Sequence, residues 1–455
     1  MFKFFNSGGT PEGPLLLKLS SKTIIAPATA PGRGGISVIR MSGTRSKSIA
    51  SKMCGELAES WRFKKCSIRS KAGSILDTGM VVLFESPHSY TGEDVIEFHC
   101  HGNPSIVNLV MDVAMDYGAV VAEPGEFTKL AFLNDKIDLA QAESVADLIN
   151  AQSLSAIVAA NSSLSGEFSR IINNLLDSII KARVVVEANI DFPEEEIDNS
   201  FFGKINADLK GQCGIINDLL QEVKEGVKLR DGYSVSIVGP PNAGKSSLLN
   251  LLAREDVAIT SEIPGTTRDL IKTAINVGGV VIDFIDTAGV RNDPENEIED
   301  KGITKSKEII NKSNLSLVVQ DVTNPKEFDL DIENFITVQN KADLLKEKFS
   351  NSKNEYYLSC STGQGVKELI SGLKEKLGID EGSETAFLSR KRHEVSLRSG
   401  QSLLEESIAS LNEGLALELV AENLRSAHHV LGEILRPMSS DDLLGEIFSE
   451  FCIGK

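Results

Sequence analysis

The sequence predicts a multidomain α/β protein in which an N-terminal α+β domain is followed by a discontinuous α-helical domain. A doubly wound α/β domain is inserted into the helical one. The length of 455 residues corresponds to about three domains at roughly 150 residues each. The hydrophobic periodicity changes from strand-like to helical, then to alternating strands and helices, and back to helical. We therefore expect three domains and no repeated unit.

The first predicted domain covers residues 22–138. Short apolar stretches such as Ile36–Met41 and Asp94–Phe98 alternate there with turns rich in Gly and Pro, such as Pro31–Gly35. Apolar runs bounded by such turns are typical of strands. Residues 1–21 precede this domain, and we expect them to be a mobile leader or the product of a start codon upstream of the true one.

The helical domain is predicted in two parts, residues 139–230 and 378–455. In the first part turn residues nearly vanish, and apolar residues recur at the spacing of one helix face: Ile172, Leu175, Leu176, Ile179 and Ile180. In the second part leucines recur at the same spacing toward the C-terminus. We therefore expect long helices on both sides of the inserted domain.

The inserted domain, residues 231–377, contains short apolar stretches separated by helical segments. Such alternation is typical of a doubly wound α/β fold with a mostly parallel sheet. The predicted strands are Ser234–Val238, Val280–Ile285, Leu315–Val319, Phe335–Val338 and Tyr356–Leu358.

Composition limits the compartment and the partners. The net charge is −18, so a nucleic acid cannot be held by the overall field of the protein and requires a local basic patch. Apolar runs fall short of the roughly 18 residues that span a bilayer, and we expect no membrane segment. The six cysteines lack C-x-x-C spacing. This pattern is typical of free thiols in a reducing compartment, so we expect a cytoplasmic protein.

A phosphate-binding loop follows the first predicted strand of the inserted domain. Residues Gly239–Ser246 match G-x-x-x-x-G-K-[ST] and precede the helical stretch Ser247–Ala253. In this motif the backbone N–H groups bind phosphate oxygens, Lys245 reaches the β and γ phosphates, and the hydroxyl of Ser246 binds Mg²⁺. The strand before it and the helix after it give the context that the motif requires.

Three further motifs follow in order, each after an apolar strand: Asp286–Gly289, Asn340–Asp343 and Ser359–Ser361. The carboxylate of Asp343 in N-K-x-D can accept from the N1–H and 2-amino group of guanine, a pattern that adenine lacks. The sequence therefore predicts a guanine nucleotide. A kinase or P-loop ATPase is the alternative class, and the N-K-x-D motif argues against it.

The chain resembles the MnmE (TrmE) family of tRNA-modifying GTPases in motifs spread over nearly its whole length after Ser21. In that family a folate-binding, dimerising N-terminal domain precedes a helical domain interrupted by a Ras-like G domain. Besides the nucleotide motifs, the resemblance rests on Thr29–Gly35, Tyr90–Asp94, Pro124–Thr128, Ala131–Lys136, Asp191–Glu195 and Phe451–Lys455.

The resemblance implies sites for GTP, Mg²⁺ and K⁺. It assigns Mg²⁺ to Ser246 and Thr267, and K⁺ to Asn242, Ser261, Ile263 and Thr266. A monovalent cation beside the phosphates offsets charge that an arginine finger would otherwise meet. The residues assigned to GTP are Asn242, Ala243, Gly244, Lys245, Ser246, Ser247, Ser261, Glu262, Ile263, Pro264, Gly265, Thr266, Thr267, Asp286, Thr287, Ala288, Gly289, Asn340, Lys341, Asp343, Ser359, Cys360 and Ser361.

The water that attacks GTP needs a group to orient it. Many GTPases carry a glutamine after the D-T-A-G motif, but here Val290 occupies that position and cannot form a hydrogen bond. An acidic run downstream offers substitutes. Aligning the family's Gly-Ile pair with Gly302–Ile303 selects Glu299 as the catalytic glutamate.

The resemblance also implies a folate site formed by Arg40, Glu97, Lys136 and the terminal Lys455. A carboxylate suits the amide-and-amine edge of a pterin, and cations suit the glutamyl tail. The expected ligand is 5-formyl- or 5,10-methylene-tetrahydrofolate. Cys452, near the terminus, is either a nucleophile or a small buried residue, and we favour a structural or positioning role because its local sequence offers no base.

The family resemblance implies a potassium-stimulated GTPase that acts on C5 of the tRNA wobble uridine. It also implies a homodimer that opens and closes with GTP hydrolysis and joins the FAD-containing MnmG in a heterotetramer. The alternative is a ribosome-assembly or signalling GTPase, which has no use for Arg40, Glu97 and Lys136 together.

Other signals remain outside this interpretation. His99 and His101 share one face of a predicted strand, and we expect them to be structural rather than metal ligands. Two basic segments, Trp61–Lys65 with Arg69 and Lys71, and Arg390–Arg392, are candidates for RNA contact or for solvated surface.

Overall fold

The computed structural model comprises two compact units. One contains the described residues up to Ala146 together with those from Leu435 onward, and the other contains Asp147–Ile434. The structure describes residues 22–192, 200–255, 272–286, 308–325, 332–345, 351–379, 387–413, 416–436, 441–449, 451 and 454.

The first unit is built on a six-stranded sheet with the order β3-β4-β5-β2-β1-β6. Neighbouring strands are antiparallel except β1 and β6, which are parallel. This confirms the predicted α+β class, although the sequence analysis missed the short strands β1, β3 and β6. The bounds are β1 Ile24–Pro27, β2 Gly34–Ser42, β3 Lys64–Arg69, β4 Ile75–Phe84, β5 Val95–Gly102 and β6 Val120–Val121.

One face of this sheet forms a hydrophobic core. Side chains that alternate along the strands, including Ile39, Met41 and Phe98, are fully buried against two helices. The second of these helices begins after Asn103, whose side chain accepts from the Ser105 N–H as a typical N-cap. The helices of this unit are Ser46–Cys54, Pro104–Asp116, Glu126–Leu133 and, at the end of the chain, Asp441–Ser449.

The C-terminal segment packs within this first unit. Phe448 and Phe451 are buried with Leu139 and Ala142, and their rings are 5.3 Å apart. Further along, Gly454 has a left-handed φ of +94°, and an added Cβ would lie 1.9 Å from the Pro27 carbonyl oxygen. Gly454 therefore lies against β1.

Long helices precede and follow the inserted domain along the chain. In Glu167–Asp191 the predicted stripe is buried at Ile172, Leu175 and Ile179, whereas Leu176 is half-buried and Ile180 is 38% exposed. Phe168 packs on Phe387, with the ring centroids 4.7 Å apart. In the part of the chain that the structure describes, no helix combines the length and apolarity that a membrane crossing requires. The helices are Leu139–Asn150, Leu154–Leu164, Glu167–Asp191, Ser200–Asp231, Lys391–Glu413 and Leu417–Gly432.

The inserted domain has a second six-stranded sheet with the order β12-β11-β10-β7-β9-β8. Its strands are parallel except for the β8–β9 hairpin, and helices Lys245–Glu255 and Val366–Leu377 pack on it. This confirms the predicted doubly wound α/β class. The bounds are β7 Tyr233–Val238, β8 Lys272–Val277, β9 Val280–Asp286, β10 Leu315–Asp321, β11 Phe335–Asn340 and β12 Glu355–Tyr357.

The bounds of the predicted strands differ from the structure by one or two residues, and one strand was missed. The last strand ends at Tyr357 rather than Leu358, because the Leu358 carbonyl accepts from the Ala342 N–H at 3.0 Å. Strand β8 was missed because it lies at the sheet edge, where its apolar residues alternate with polar ones instead of forming a run. The domain boundaries given above stay predictions.

Candidate functional site

The phosphate loop turns sharply between β7 and helix Lys245–Glu255. Gly239 and Gly244 have φ values of +144° and +98°, and Asn242 is also left-handed at +63°. A Cβ at Gly239 would lie 2.1 Å from the Val319 carbonyl oxygen, and one at Gly244 would lie 2.1 Å from Asn340 Nδ2. Both glycines are therefore required by close packing as well as by backbone conformation.

Lys245 curls back over this loop. Its Nζ donates to the carbonyl oxygens of Gly239 and Pro240, both at 2.9 Å. The ammonium group therefore sits at the mouth of the loop, where the P-loop lysine meets phosphate oxygens. Its contact with the β and γ phosphates stays a prediction.

The predicted magnesium residue Ser246 lies beside Asp286. Its Oγ donates to Asp286 Oδ2 at 3.3 Å, and Asp286 is buried at the end of β9. A hydroxyl and a carboxylate at one point provide the oxygen ligands that Mg²⁺ prefers. The local motifs thus meet in space although 40 residues separate them.

Asn340 joins three segments of the site. Its Oδ1 accepts from the N–H groups of Lys341 at 2.8 Å and Cys360 at 3.1 Å, and its Nδ2 donates to the Ala243 carbonyl at 2.9 Å. Asn340 is only 3% exposed. The buried amide therefore fixes the phosphate loop, the N-K-x-D motif and the Ser359–Ser361 loop in one arrangement.

Lys341 is held by a residue that the sequence analysis missed. Its Nζ is paired with the carboxylate of Asp321, which also accepts from the N–H and Oγ1 of Thr323 at 3.0 and 2.7 Å. The hydrogen bond from Lys341, followed by that from the Thr323 hydroxyl, lowers the pKa of Asp321 to about 2. The sequence signal that could have revealed Asp321 is the Asp-x-Thr pattern of residues 321–323 at the end of the buried strand β10.

A cavity of about 710 Å³ opens between the phosphate loop and the base-binding loops. At one end Ser361 Oγ donates to Asp343 Oδ2 at 3.4 Å. The volume and the mixed polar lining suit a ligand of nucleotide size. The cavity is lined by Pro241, Asn242, Gly244, Lys245, Ser246, Ser247, Asn340, Lys341, Asp343, Leu344, Ser359, Cys360 and Ser361.

Part of the predicted nucleotide site lies outside the described residues. This holds for the potassium and switch segment 261–267, for Thr287–Gly289 of the D-T-A-G motif, and for Glu299. Ala243 is described but buried behind the loop, where its carbonyl oxygen contacts Asn340.

Two of the predicted folate residues form an ion pair. Arg40 on β2 lies opposite Glu97 on β5, and its Nη2 and Nε both lie 2.9 Å from Glu97 Oε1. The Arg40 guanidinium also lies over the rings of Tyr90 and Phe127, at 5.3 and 5.9 Å from their centroids. A cation held between a carboxylate and two aromatic rings forms a rigid polar site.

The other two folate residues are not brought into this pair. Lys136 Nζ donates to the Pro87 carbonyl at 2.9 Å, and its methylene groups lie beside Gly92. Lys455 and Cys452 lie outside the described residues. The neighbouring Gly454, however, rests on Pro27 of β1, a strand that pairs with β2 beside Arg40.

The histidines of β5 have carboxylate partners. His99 Nε2 lies 3.4 Å from Glu97 Oε2, and His101 Nδ1 lies 2.8 Å from Asp77 Oδ1. Asp77 is buried and also accepts from the His101 N–H, which helps lower the pKa of Asp77 against the effect of burial. Within the described part of the chain, no group of three or more His, Cys, Asp or Glu residues is placed to hold a metal ion.

Comparison with known families identifies the chain. A model described as the MnmE helical domain matches residues 139–452, which is more than half of the chain. The chain belongs to the MnmE family. A second model, described as the GTP-binding protein TrmE N-terminus, matches residues 23–136.

Curated members of the MnmE family are similar over almost the entire chain. The tRNA modification GTPase MnmE of Legionella pneumophila strain Philadelphia 1 is 43% identical, with 96% of this chain and 100% of the relative covered. The MnmE of Haemophilus influenzae strain Rd is 42% identical, with 95% and 100% covered. These relatives confirm the predicted enzyme class, a GTP hydrolase in tRNA modification.

A solved structure is similar to part of the chain. The G domain of the FeoB iron transporter of T. maritima is 22% identical and covers 32% of this chain and 98% of its own, with a TM-score of 0.24.

Proposed function

We propose that this protein is a potassium-stimulated GTPase that modifies C5 of the wobble uridine of certain tRNAs together with MnmG. The added group is of the aminomethyl or carboxymethylaminomethyl type, and a one-carbon tetrahydrofolate supplies the carbon. The observation that carries the GTPase part is the Asn340 network, because it couples the phosphate loop to the motif that reads guanine. A cytoplasmic location, expected from the scattered cysteines, belongs to the same proposal.

The chain's own residues can perform the steps of GTP hydrolysis. Lys245 would bind the β and γ phosphates, and Ser246 with Thr267 would hold Mg²⁺, which offsets the charge of the phosphates. The exposed left-handed Asn242 borders the cavity, and with Ser261, Ile263 and Thr266 it would hold K⁺. Glu299 would orient the attacking water in place of Val290.

The folate part of the proposal rests on the Arg40–Glu97 pair and on the chain end. The guanidinium and the two aromatic rings offer polar contacts and a stacking surface for a flat pterin. Gly454, the sequence neighbour of Lys455, lies against Pro27 of β1, and Lys136 donates to the Pro87 carbonyl. The proposed ligand is 5-formyl- or 5,10-methylene-tetrahydrofolate.

A homodimer is supported by an apolar surface on the first sheet. Ile36 and Met80 are 62% and 42% exposed. Ile36 lies opposite His101 and Met80 opposite His99, so they share the sheet face that points away from the core. Clusters of exposed apolar side chains mark interaction sites, and a second copy of the chain is the occupant we propose.

The structure separates the two basic segments. Arg390 and Arg392 bind within the protein, to Asp147 and to the carbonyl oxygens of Glu433 and Ile434. The segment 56–71 has five basic and two acidic residues, and some of the basic ones also have partners within the protein, such as Arg62 with Glu59. It is more exposed, however: Trp61 is 65% exposed and the Arg62 side chain 74%. This surface is therefore the one we propose for tRNA, because an exposed aromatic ring can stack on a base while lysines and arginines contact phosphates.

The test compares wobble-uridine nucleosides by mass spectrometry in cells that lack the gene, with and without the full-length chain supplied again. We expect the modified nucleoside to disappear without the gene and to return with it. A Lys245→Ala variant, expressed at the same level, is the control for GTP dependence. If the nucleosides are identical with and without the gene, the protein is instead the ribosome-assembly or signalling GTPase considered above.

A further inference from the structure

A largely buried ion cluster lies where the chain enters and leaves the inserted domain. Asp147 Oδ1 accepts from Arg230 Nε at 3.0 Å and from Arg390 Nη2 at 3.1 Å. The three side chains are 8%, 26% and 12% exposed. We call this cluster the Asp147 clamp, because one carboxylate oxygen holds two guanidinium groups from distant parts of the sequence.

Each arginine lies on one of the two connections of the inserted domain, the incoming one before β7 and the outgoing one after the last helix of the domain. Arg230 is in the last turn of helix Ser200–Asp231, directly before β7, and Arg390 directly precedes helix Lys391–Glu413. Asp147 belongs to helix Leu139–Asn150, outside both connections. A single carboxylate therefore fixes both connections to the same helix.

Close backbone packing reinforces the clamp. A Cβ at Gly226 would lie 2.5 Å from the Phe387 carbonyl oxygen, so the two connections touch. The Leu388 N–H donates to Ser163 Oγ at 3.1 Å, which fixes the outgoing connection to helix Leu154–Leu164. These contacts leave little room for one connection to move without the other.

Strand β9 extends from the clamp to the nucleotide site. Asp283 lines a cavity of about 230 Å³ together with Asp147 and Arg230, and three residues later Asp286 contacts Ser246. At the other end of the strand, the hairpin turn at Gly279 rests on Ser155, where an added Cβ would be 2.7 Å from its Oγ. Strand β9 thus runs from the hairpin turn that rests on Ser155, past the clamp, to Asp286 beside Ser246.

We propose that Asp147 is a positioning residue that couples the nucleotide state of the GTPase to tRNA modification by the rest of the protein. This inference rests on the proposed function. Displacement of β9 on hydrolysis would reach both connections at once, because both are held by the same carboxylate. Loss of the carboxylate charge removes the group that holds Arg230 and Arg390 together, so the two connections can move independently.

The test replaces Asp147 in the full-length chain and measures the two activities separately. For Asp147→Asn we expect GDP affinity and potassium-stimulated GTP turnover within about twofold of the parent, and wobble-uridine modification in cells lowered roughly tenfold, in the usual range of coupling between sites. Asp231→Asn is the matched control, because Asp231 also pairs with Arg230 at 3.0 Å but is 45% exposed. We expect it to behave as the parent.

Two results would overturn the inference. One is unchanged modification in Asp147→Asn, and the other is a parallel fall of modification, GTP turnover and thermal stability, which would indicate a structural role only. If Asp147→Asn does not yield folded protein, Arg390→Lys is judged by the same criteria. If the parent chain itself fails to restore modification, the proposed function fails, and this outcome is distinguishable because it does not involve Asp147.

Discussion

The side-chain amide of Asn340 donates a 2.9 Å hydrogen bond to the backbone carbonyl of Ala243, across 97 residues of sequence. This bond joins the N-K-x-D motif to the phosphate loop. The Asn340 side chain is buried and makes two further hydrogen bonds as an acceptor. The two halves of the nucleotide cavity are therefore fixed relative to each other by one residue.

Replacing Asn340 should weaken nucleotide binding. Asn340→Ala removes three hydrogen bonds and leaves buried N–H groups unpaired, at about 1–3 kcal/mol for each such group. We expect the Kd for a fluorescent GDP analogue to rise at least tenfold. Gln339→Ala is the control, because the neighbouring side chain bonds Gln320 and Glu355 away from the cavity. Equal effects of both variants would contradict the role of Asn340.

Potassium should accelerate GTP hydrolysis relative to sodium at equal ionic strength. Val290 cannot orient water, and Asn242, the proposed ligand of the ion, borders the cavity. In Asn242→Ala the difference between the two salts should largely disappear, because one ligand of the ion is lost. The measurement is the rate of phosphate release in matched KCl and NaCl. Equal rates for the parent chain would refute the ion site.

Glu299→Ala should lower kcat and leave GTP affinity nearly unchanged. A group that orients water acts mainly in the transition state, so its loss affects turnover rather than ground-state binding. Turnover of GTP and binding of a nonhydrolysable analogue are measured on the same preparation. Glu297→Ala, from the same acidic run, is the matched control. A loss of affinity as large as the loss of turnover would show that the assignment is wrong.

Asp321→Asn should weaken guanine-nucleotide binding several-fold by releasing Lys341. Thr323→Val should have a smaller effect, since the ion pair with Lys341 persists. The pair also has a defined pH dependence. Because the pKa of Asp321 is lowered to about 2, the carboxylate stays charged above the ~3.9 of an unfolded aspartate, and its contribution is lost as the pH falls through about 2.

This pair should therefore make no contribution to any change in GDP affinity between pH 8 and pH 5. Titrations of the parent and of Asp321→Asn across this range should give a constant ratio of their Kd values. A ratio that approaches one toward pH 5 would show that the carboxylate titrates much higher than the structure indicates.

Arg40→Ala should abolish binding of 5-formyltetrahydrofolate to the full-length chain while leaving GDP affinity unchanged. The variant removes the cation that Glu97 holds over Tyr90 and Phe127. Isothermal titration measures the heat of folate binding, and Lys65→Ala, an exposed basic residue of β3, is the control. The parent chain giving no heat would refute folate binding itself.

The sequence by itself determined the parts of this protein that depend on neighbouring residues. The phosphate loop, the N-K-x-D motif and their order were readable because each is a short segment whose backbone conformation and ligand groups are encoded locally. The stripe of Ile172, Leu175 and Ile179 likewise predicted a helix, because helical periodicity is a local property.

Only the tertiary structure decided which distant side chains meet. Asp321 and Lys341 are paired because β10 and β11 are neighbours in register, and Arg40 meets Glu97 because β2 pairs with β5. The Asp147 clamp joins three segments that no local pattern connects. Strand pairing and helix packing fix such contacts through the burial of the whole core, so the position of each carboxylate and its cation follows from the fold rather than from either residue's sequence neighbours.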